Sequence, residues 1–522
     1  MAKASHAIVI PSIGWGHIRP VLNLALNLLT LHHDLHLTFL LVPAAVTNLE
    51  QELASPFLAH VHTGPSPAAD RLELVVVRDE GIDEKEDASK AFAKAIPPFL
   101  DRLLTKLTED TDTGAEKRRF NLIIYDIFLG FVPPLVSKIL EEHRLPSLPI
   151  LGFFPVPAAA CYYFLASPEH NGAWVIHKKN FDAEVANGME PIQAAEKIWA
   201  EDSGKILQIP SLPDLYDYEL RKSCPMYGAS PLPPAVMMYS LSVLDGFLNP
   251  NIAGLILMGV HELEPEAVLA TEDDIQKPLF MVGPQVPQSM WEGVKPPTPD
   301  GPDDQRVMDY LDQMEKTYGK RTVAYVSFGS AHWPVRRPEI VDWLIESLVE
   351  SGIPFVFAHA SPRGQISSKV EALLHDNANV CLVKFAPQWQ VLAHDALRFF
   401  VSHCGSNSVS EAILARVPLV AMPFGADQPH LSAQMEREHG VAIEIVQVKT
   451  FKNPSFTKLH RGIEIVGTEK AIKDEMAGVW MRVKGEECEV MREKMGVLRE
   501  KCKRSWQGGQ SRKAMEAVAQ FF

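Results

Sequence analysis

The sequence predicts an α/β protein with two doubly wound domains, each a parallel sheet covered by helices on both faces. Short, continuously apolar runs alternate with segments whose apolar residues recur every three or four positions, the pattern of buried parallel strands and their crossover helices. The alternation breaks at 284–305, where Pro284, Pro287, Pro296, Pro297, Pro299 and Pro302 occur with Gly293 and Gly301. At roughly 150 residues per domain, a chain of 522 residues holds two to four full cores.

In chain order, strands are expected at 7–10, 37–42, 72–77, 122–125 and 255–258 before the break. Those after it are expected at 323–328, 355–358, 380–383, 399–401 and 418–422. Helical spacing marks 20–31, 88–107, 339–350 and 408–415. After the first strand, Gly14 and Gly16 permit a tight turn, and Pro20 suits the first turn of the helix that follows. Residues 145–166 form the most apolar long stretch, but Pro146, Pro149, Pro155 and Pro157 break the internal hydrogen bonding a membrane helix needs, so strand plus loop is expected. The irregular, Pro- and aromatic-rich segment 152–234 is the natural place for substrate-specific loops. The break itself carries too many φ-locked residues for a helix or central strand and predicts an interdomain linker, with a ligand cleft between the domains.

Composition excludes several functions. Fifty Lys and Arg against sixty-five Asp and Glu give a net charge of −15, contrary to the positive field that nucleic-acid binders and polybasic membrane-surface proteins need. The six cysteines show no C-x-x-C pairs, which suits neither a zinc site nor a disulfide framework and favours a reducing compartment. No address signal is legible near the start and no twenty-residue apolar span near the end, so a soluble, cytoplasmic protein is expected.

Two groups of residues carry candidate chemistry. The turn Ile13-Gly14-Trp15-Gly16-His17-Ile18-Arg19-Pro20 puts His17 at a helix N-terminus on the carboxyl edge of a sheet, where the helix dipole would keep it neutral and able to accept a proton. Asp126 closes the strand at 122–125 and could hold the other imidazole N–H, as in a His-Asp dyad. The plainer possibilities are a capping or surface role for His17, and for Asp126 a cap on a helix near Phe131. In the second half, Val401-Ser402-His403-Cys404-Gly405-Ser406-Asn407-Ser408 leaves a strand and opens a helix. Its amides, with His403, Asn407 and Ser408, form an anion site. Glu411 could bind a sugar diol, and Ser327-Phe328-Gly329-Ser330 brings another hydroxyl to the same edge. There is neither a G-x-x-x-x-G-K loop nor a G-x-G-x-x-G fingerprint, so the pattern reads as a diphosphate site of unspecified kind.

The same residues resemble the signature box of plant-type, small-molecule (family-one) UDP-dependent glycosyltransferases. Within 385–428 the matching positions are Phe385-Ala386-Pro387-Gln388, Leu392-Ala393-His394, His403-Cys404-Gly405, Asn407-Ser408, Glu411, Val417-Pro418, Pro423 and Asp427-Gln428. The likeness continues at Gly14-Trp15-Gly16-His17, Glu262-Leu263-Glu264, Val282-Gly283-Pro284 and Tyr325-Val326-Ser327-Phe328-Gly329-Ser330, and weakens over 152–234.

What the resemblance implies is a GT-B fold. An acceptor-binding Rossmann-like domain would span 1–283 and a linker 284–305. A UDP-sugar-binding Rossmann-like domain would span 306–500, with a C-terminal helix at 501–522 packing back on the first domain. Phe385 would stack on uracil and Gln388 lie beside it. Glu411 would bind the ribose, Asn407 and Ser408 one phosphate, and His403 and Ser330 the other, around the turn at Gly405. Asp427 and Gln428 would hold the sugar hydroxyls. His17 becomes the general base and Asp126 its partner in an inverting, metal-free displacement. UDP-glucose is the expected co-substrate and UDP-xylose an alternative, with no cofactor.

This chain departs from the family at several positions. Phe385 and Ser406 stand where Trp is usual and Arg416 where Gly is common, which leaves UDP-galactose and UDP-N-acetylglucosamine open as donors; Arg19 for a common Asn and Trp15 for a common Gln stand at the mouth of the acceptor site. Trp15, Phe128, Phe153 and Tyr216 are expected at the acceptor site. Phe154, Tyr162, Tyr163, Phe164 and Tyr218 are further rings for a terpenoid, polyphenol or sterol-like acceptor, although ordinary packing explains any single ring as well. Partners other than nucleotide sugar and acceptor are not expected, neither nucleic acid nor an integral membrane segment, and the chain should be a monomer or weak dimer. The competing functions are a lipid or sterol glycosyltransferase at a membrane surface and a catalytically silent nucleotide-sugar binder. A dinucleotide oxidoreductase is disfavoured by the missing phosphate fingerprint.

Overall fold

The computed structural model describes residues 5–522 except 65, 79–87, 110–119, 200–202, 221–233, 294–300, 331, 362–363, 365, 376 and 452–454. Among the described residues the strands are β1 (Ser5–Ile10), β2 (Leu35–Leu41), β3 (Leu72–Val76), β4 (Phe120–Asp126), β5 (Ile150–Phe154), β6 (Ile206–Leu207), β7 (Leu215–Tyr216), β8 (Ile252–Leu257), β9 (Leu279–Met281), β10 (Val323–Ser327), β11 (Phe355–Ala358), β12 (Val380–Val383), β13 (Leu397–Ser402), β14 (Leu419–Ala421) and β15 (Ala442–Glu444). They build a seven-stranded sheet, order β3-β2-β1-β4-β5-β8-β9, a six-stranded sheet, order β12-β11-β10-β13-β14-β15, and the small pair β6-β7. Every pairing in the two large sheets is parallel. Their strands are buried nearly throughout because helices cover both faces, which is why the sequence shows continuous apolar runs in place of alternation. Two Rossmann-like domains of a GT-B fold result.

Several elements differ from expectation. The first helix starts at Trp15, so Pro20 is its sixth residue. Proline has no N–H to give the carbonyl four residues back, and that carbonyl, Gly16 O, instead accepts from Asn407 Nδ2 at 2.9 Å across the cleft. The stretch 145–166 is β5 followed by a fully buried helix, Ala158–Leu165, where a loop was expected. Pro157 ends the extended segment, and the buried Glu264 carboxylate accepts the N–H groups of Ala158 and Ala159 at 2.9 and 3.0 Å, capping the helix from over a hundred residues away. The strands β9 and β15 are three residues each and too short to show in the pattern.

Within the proline-rich break, Gln288–Glu292 is helical and the helix Pro302–Tyr318 begins before 305; 294–300 lie outside the described residues. The helix Glu486–Gly508 runs unbroken through 501, and the turn comes at Gly509. There Trp506 stacks on Trp291 at 5.1 Å, Ser505 Oγ donates to Glu262 at 2.7 Å, and the helix Gln510–Val518 packs on β9. Among the described residues no helix is long and apolar enough to cross a membrane.

Candidate active site

In each sheet, strand order reverses between two neighbours whose carboxyl ends therefore open a crevice, and the candidate residues stand at these two places. In the first sheet the neighbours are β1 and β4, with Ile10 paired to Tyr125. The chain beyond β1 supplies His17, and β4 ends on Asp126. His17 Nδ1 lies 2.7 Å from Asp126 Oδ2. Asp126 is fully buried, and its other oxygen accepts the Phe128 N–H at 3.0 Å, so the carboxylate is fixed from two sides. With Nδ1–H held by Asp126, Nε2 carries the free lone pair. The expected Asp126 cap near Phe131 does not form: the helix Val132–Glu142 has no side-chain cap among the described residues.

Burial opposes a charged His17, but Asp126, by its charge and its hydrogen bond, and then Asp427 outweigh it and raise the imidazole above its ordinary value. The shift runs opposite to the one the helix dipole alone would give. A partial charge at the helix end is smaller than two carboxylates.

In the second sheet the neighbours are β10 and β13, with Ser327 paired to Ser402. The turn after β13 carries His403 and leads through Gly405 into the helix Ser406–Ala415. Its cap residue, Gly405, has no side chain to bond the opening amides, so those after Ser406 are available to an anion. Ser406 N–H donates to Asp427 Oδ2 at 3.1 Å. The His403 ring fills this turn so closely that a Cβ on Gly405 would lie 2.7 Å from Nε2, and one on Gly329, at φ +71, 3.0 Å from it. Burial, reinforced by neighbouring His332, pushes His403 down to about 3, so it is neutral near pH 7 and offers no charge to an anion. Ser330 is exposed after β10.

Around this turn lie the other expected donor-site residues. Phe385 leaves 56% of its surface exposed, a bare ring face beside Gln388. Gln388 Nε2 donates to Glu411 Oε2 at 2.7 Å and stands 3.5 Å from Ser408 Oγ. Burial pushes Asp427 up to about 6, against the hydrogen bonds of backbone amides and the charge of His17. Gln428 Oε1 accepts from Phe424 and Gly425 N–H at 2.9 and 3.2 Å, and Nε2 contacts His332 at 3.0 Å. It braces the turn that carries Asp427.

The expected acceptor residues divide. Phe128 packs edge-on against the His17 ring at 5.1 Å and Trp15 is half-buried beside it in sequence. Phe153 is fully buried in the core on one side of the first sheet, and Phe154, facing the other side because alternate residues of β5 point to opposite faces, is just as buried, packed against Phe128 at 6.1 Å. Tyr216 stacks on Tyr218 at 5.1 Å and meets His460 edge-on, while Tyr218 stacks on Phe456; these rings join the variable segment to the second half. Two residues near the site, Trp174 and His430, escaped the sequence, and Arg19 was marked only as a departure. Trp174 stacks on Phe164 at 4.5 Å and touches Phe128, His430 lies 4.6 Å from Tyr163, and Arg19 donates to Glu411 Oε1 at 2.6 Å. The only sequence signal was the charge that Arg19 brings to a position commonly Asn.

Comparisons with known proteins agree with this architecture. The family model for "UDP-glucoronosyl and UDP-glucosyl transferase" matches residues 299–476. UDP-glycosyltransferase eriJ of Hericium erinaceus is 24% identical over 463 residues, 85% of this chain and 84% of the relative. Flavonol 3-O-glucosyltransferase F3GT2 of Actinidia chinensis var. chinensis is 25% identical, covering 82% and 81%. The crystal structure of Medicago truncatula UGT71G1 complexed with UDP-glucose superposes with a TM-score of 0.69 over 99% of this chain and 98% of that one, at 18% identity. With the signature segment matched, relatives aligned over most of their length and the GT-B architecture in common, the chain is similar to UDP-glycosyltransferases along most of its length.

Proposed function

We propose that this enzyme transfers a sugar from a UDP-sugar, UDP-glucose first, to a hydroxyl of a small lipophilic acceptor, inverting the anomeric carbon to give a β-glycoside. The observation that carries this is the 2.7 Å His17–Asp126 pair at one strand-order reversal and, at the other, a helix N-terminus whose first amide is held by Asp427 and whose next amides carry no side-chain cap. His17 Nε2 takes the acceptor's hydroxyl proton as its oxygen attacks the anomeric carbon. The carbon–oxygen bond to the diphosphate breaks, and UDP leaves with that electron pair. Asp126 stabilises the imidazolium, and the amides opening Ser406–Ala415, with Asn407 and Ser408, receive the negative charge of the leaving group. Phe385 stacks on uracil, Glu411 takes the ribose diol and Asp427 a sugar hydroxyl. In this assignment the portion up to 283 binds acceptor and 306–500 binds donor.

The half-buried Phe128 ring, edge-on to His17 and backed by the buried Phe154 and Trp174, supports a flat, apolar acceptor, as does the flavonol named for the Actinidia relative. Purified protein with UDP-glucose should release UDP when given a panel of flavonols and terpenols, and His17→Ala should abolish release while UDP still binds. Full turnover by that variant would remove His17 as the base.

A further inference from the structure

Both oxygens of the candidate ribose-binding carboxylate are occupied. Glu411, 2% exposed, accepts from Gln388 Nε2 at 2.7 Å and from Arg19 Nη1 at 2.6 Å. Gln388 sits in the same half of the molecule as Glu411, whereas Arg19 reaches across the cleft on a flexible stem. Its Nε is held separately by Glu52 Oε1 at 2.9 Å. A ribose diol brings two more O–H donors to Glu411, where they compete with the two already present. The one on the long arm has somewhere else to go. The helices Trp15–Leu31 and Ser406–Ala415 begin at the same place, with Gly16 O and Asn407 Nδ2 in contact at 2.9 Å. Arg19, three residues into the first helix from Gly16, therefore stands within about one turn of the amides that face an incoming anion.

We propose that Arg19 is a donor-binding residue: the ribose diol displaces its guanidinium from Glu411, and the guanidinium turns to the diphosphate while Glu52 keeps its Nε. This rests on the donor-site assignment above and adds to it a residue outside the signature box. Charge requires such a group. The diphosphate enters beside Glu52, Glu411 and Asp427, and the neutral His403 cannot balance it. A guanidinium is permanently charged, and its planar fork matches phosphate oxygens. The same swap makes occupation of the ribose site and delivery of positive charge a single event.

The test is calorimetric binding of UDP and of uridine to the full chain, wild type against Arg19→Gln and Arg19→Lys. Arg19→Gln should weaken UDP roughly tenfold or more, the worth of a lost charge-assisted contact, and flatten its salt dependence. Uridine should bind as well as before or more tightly, because Glu411 is freed. Arg19→Lys should fall between, keeping charge and losing the fork. Equal changes for UDP and uridine, in either direction, would overturn the proposal by making Arg19 a simple plug on Glu411. Unchanged UDP affinity in Arg19→Gln would overturn it as well. A wild-type chain that binds no UDP overturns the donor-site assignment itself, and Arg19's role with it.

Discussion

Asp126→Asn is the sharpest perturbation of the proposed base, because the two Asp126 oxygens do different things. One accepts from His17 at 2.7 Å and the other from Phe128 N–H at 3.0 Å. An amide has a single oxygen. If that oxygen stays on Phe128, the NH2 group faces His17 and forces the tautomer with Nδ1 bare and Nε2 protonated, which cannot accept a proton. If it turns to His17, the NH2 meets Phe128 N–H, donor against donor. Charge alone sets a floor. Opposite charges about 4 Å apart at an effective dielectric of about 20 attract by about 4 kcal/mol. A neutral hydrogen bond retains about 1 kcal/mol, leaving about 3 kcal/mol, or roughly a hundredfold in rate. The reversed tautomer takes the loss toward about 10⁴-fold, the size that the same tautomer reversal reaches in serine proteases. The assay is kcat/KM for UDP release from pH 5 to 9. Asp126 raises His17, and the deprotonated ring is the active form, so removing the charge must shift the acid limb to lower pH while the plateau drops. A loss under threefold, or a limb that stays put or moves up, would refute the dyad.

Two further outcomes follow from the same geometry. Burial pushes Asp427 up to about 6, so the cost of ionising it is full above that pH, shrinks as the pH falls below it and vanishes only below the ordinary carboxyl value of about 4; Asp427→Asn should raise Tm at pH 8 by roughly 2–4 °C per kcal/mol relieved, by less at pH 5, and leave it unchanged near pH 3, read by calorimetry. Phe385, with 56% of its surface bare, should lose roughly tenfold or more in uridine and UDP affinity alike on Phe385→Ala, by loss of base stacking, and regain it in Phe385→Trp; an alanine variant that binds uridine normally would show that the ring stacks on nothing.

The His17–Asp126 dyad was legible because its determinants are local: each residue ends or follows a parallel strand, and adjacency of β1 and β4 brings them together. That Gln388, Glu411, Asp427 and the turn at Gly405 lie together was legible from one contiguous stretch. What stayed hidden depends on distant partners. The helix Ala158–Leu165 lies among prolines and gets its cap from Glu264. Tyr216 spends its ring on the second half of the molecule. Gln428 gives no sign in sequence that two backbone amides bond its oxygen. The upward shift of His17 draws on Asp427, which is 410 positions later in the chain and reaches the site only through the fold.

Pro20 gives the cleft a mechanical property. A helix-interior proline leaves one carbonyl unsatisfied, and in this chain that carbonyl belongs to Gly16 and receives the Asn407 amide from the opposite domain. When the halves part, water can take the same acceptor, so opening exchanges one hydrogen bond for another at a net cost of only about 1 kcal/mol. The contact works as a clasp that latches without locking. An enzyme that must admit a nucleotide sugar and let the nucleotide out again in every cycle gains registry between its halves from such a clasp, with little resistance to release.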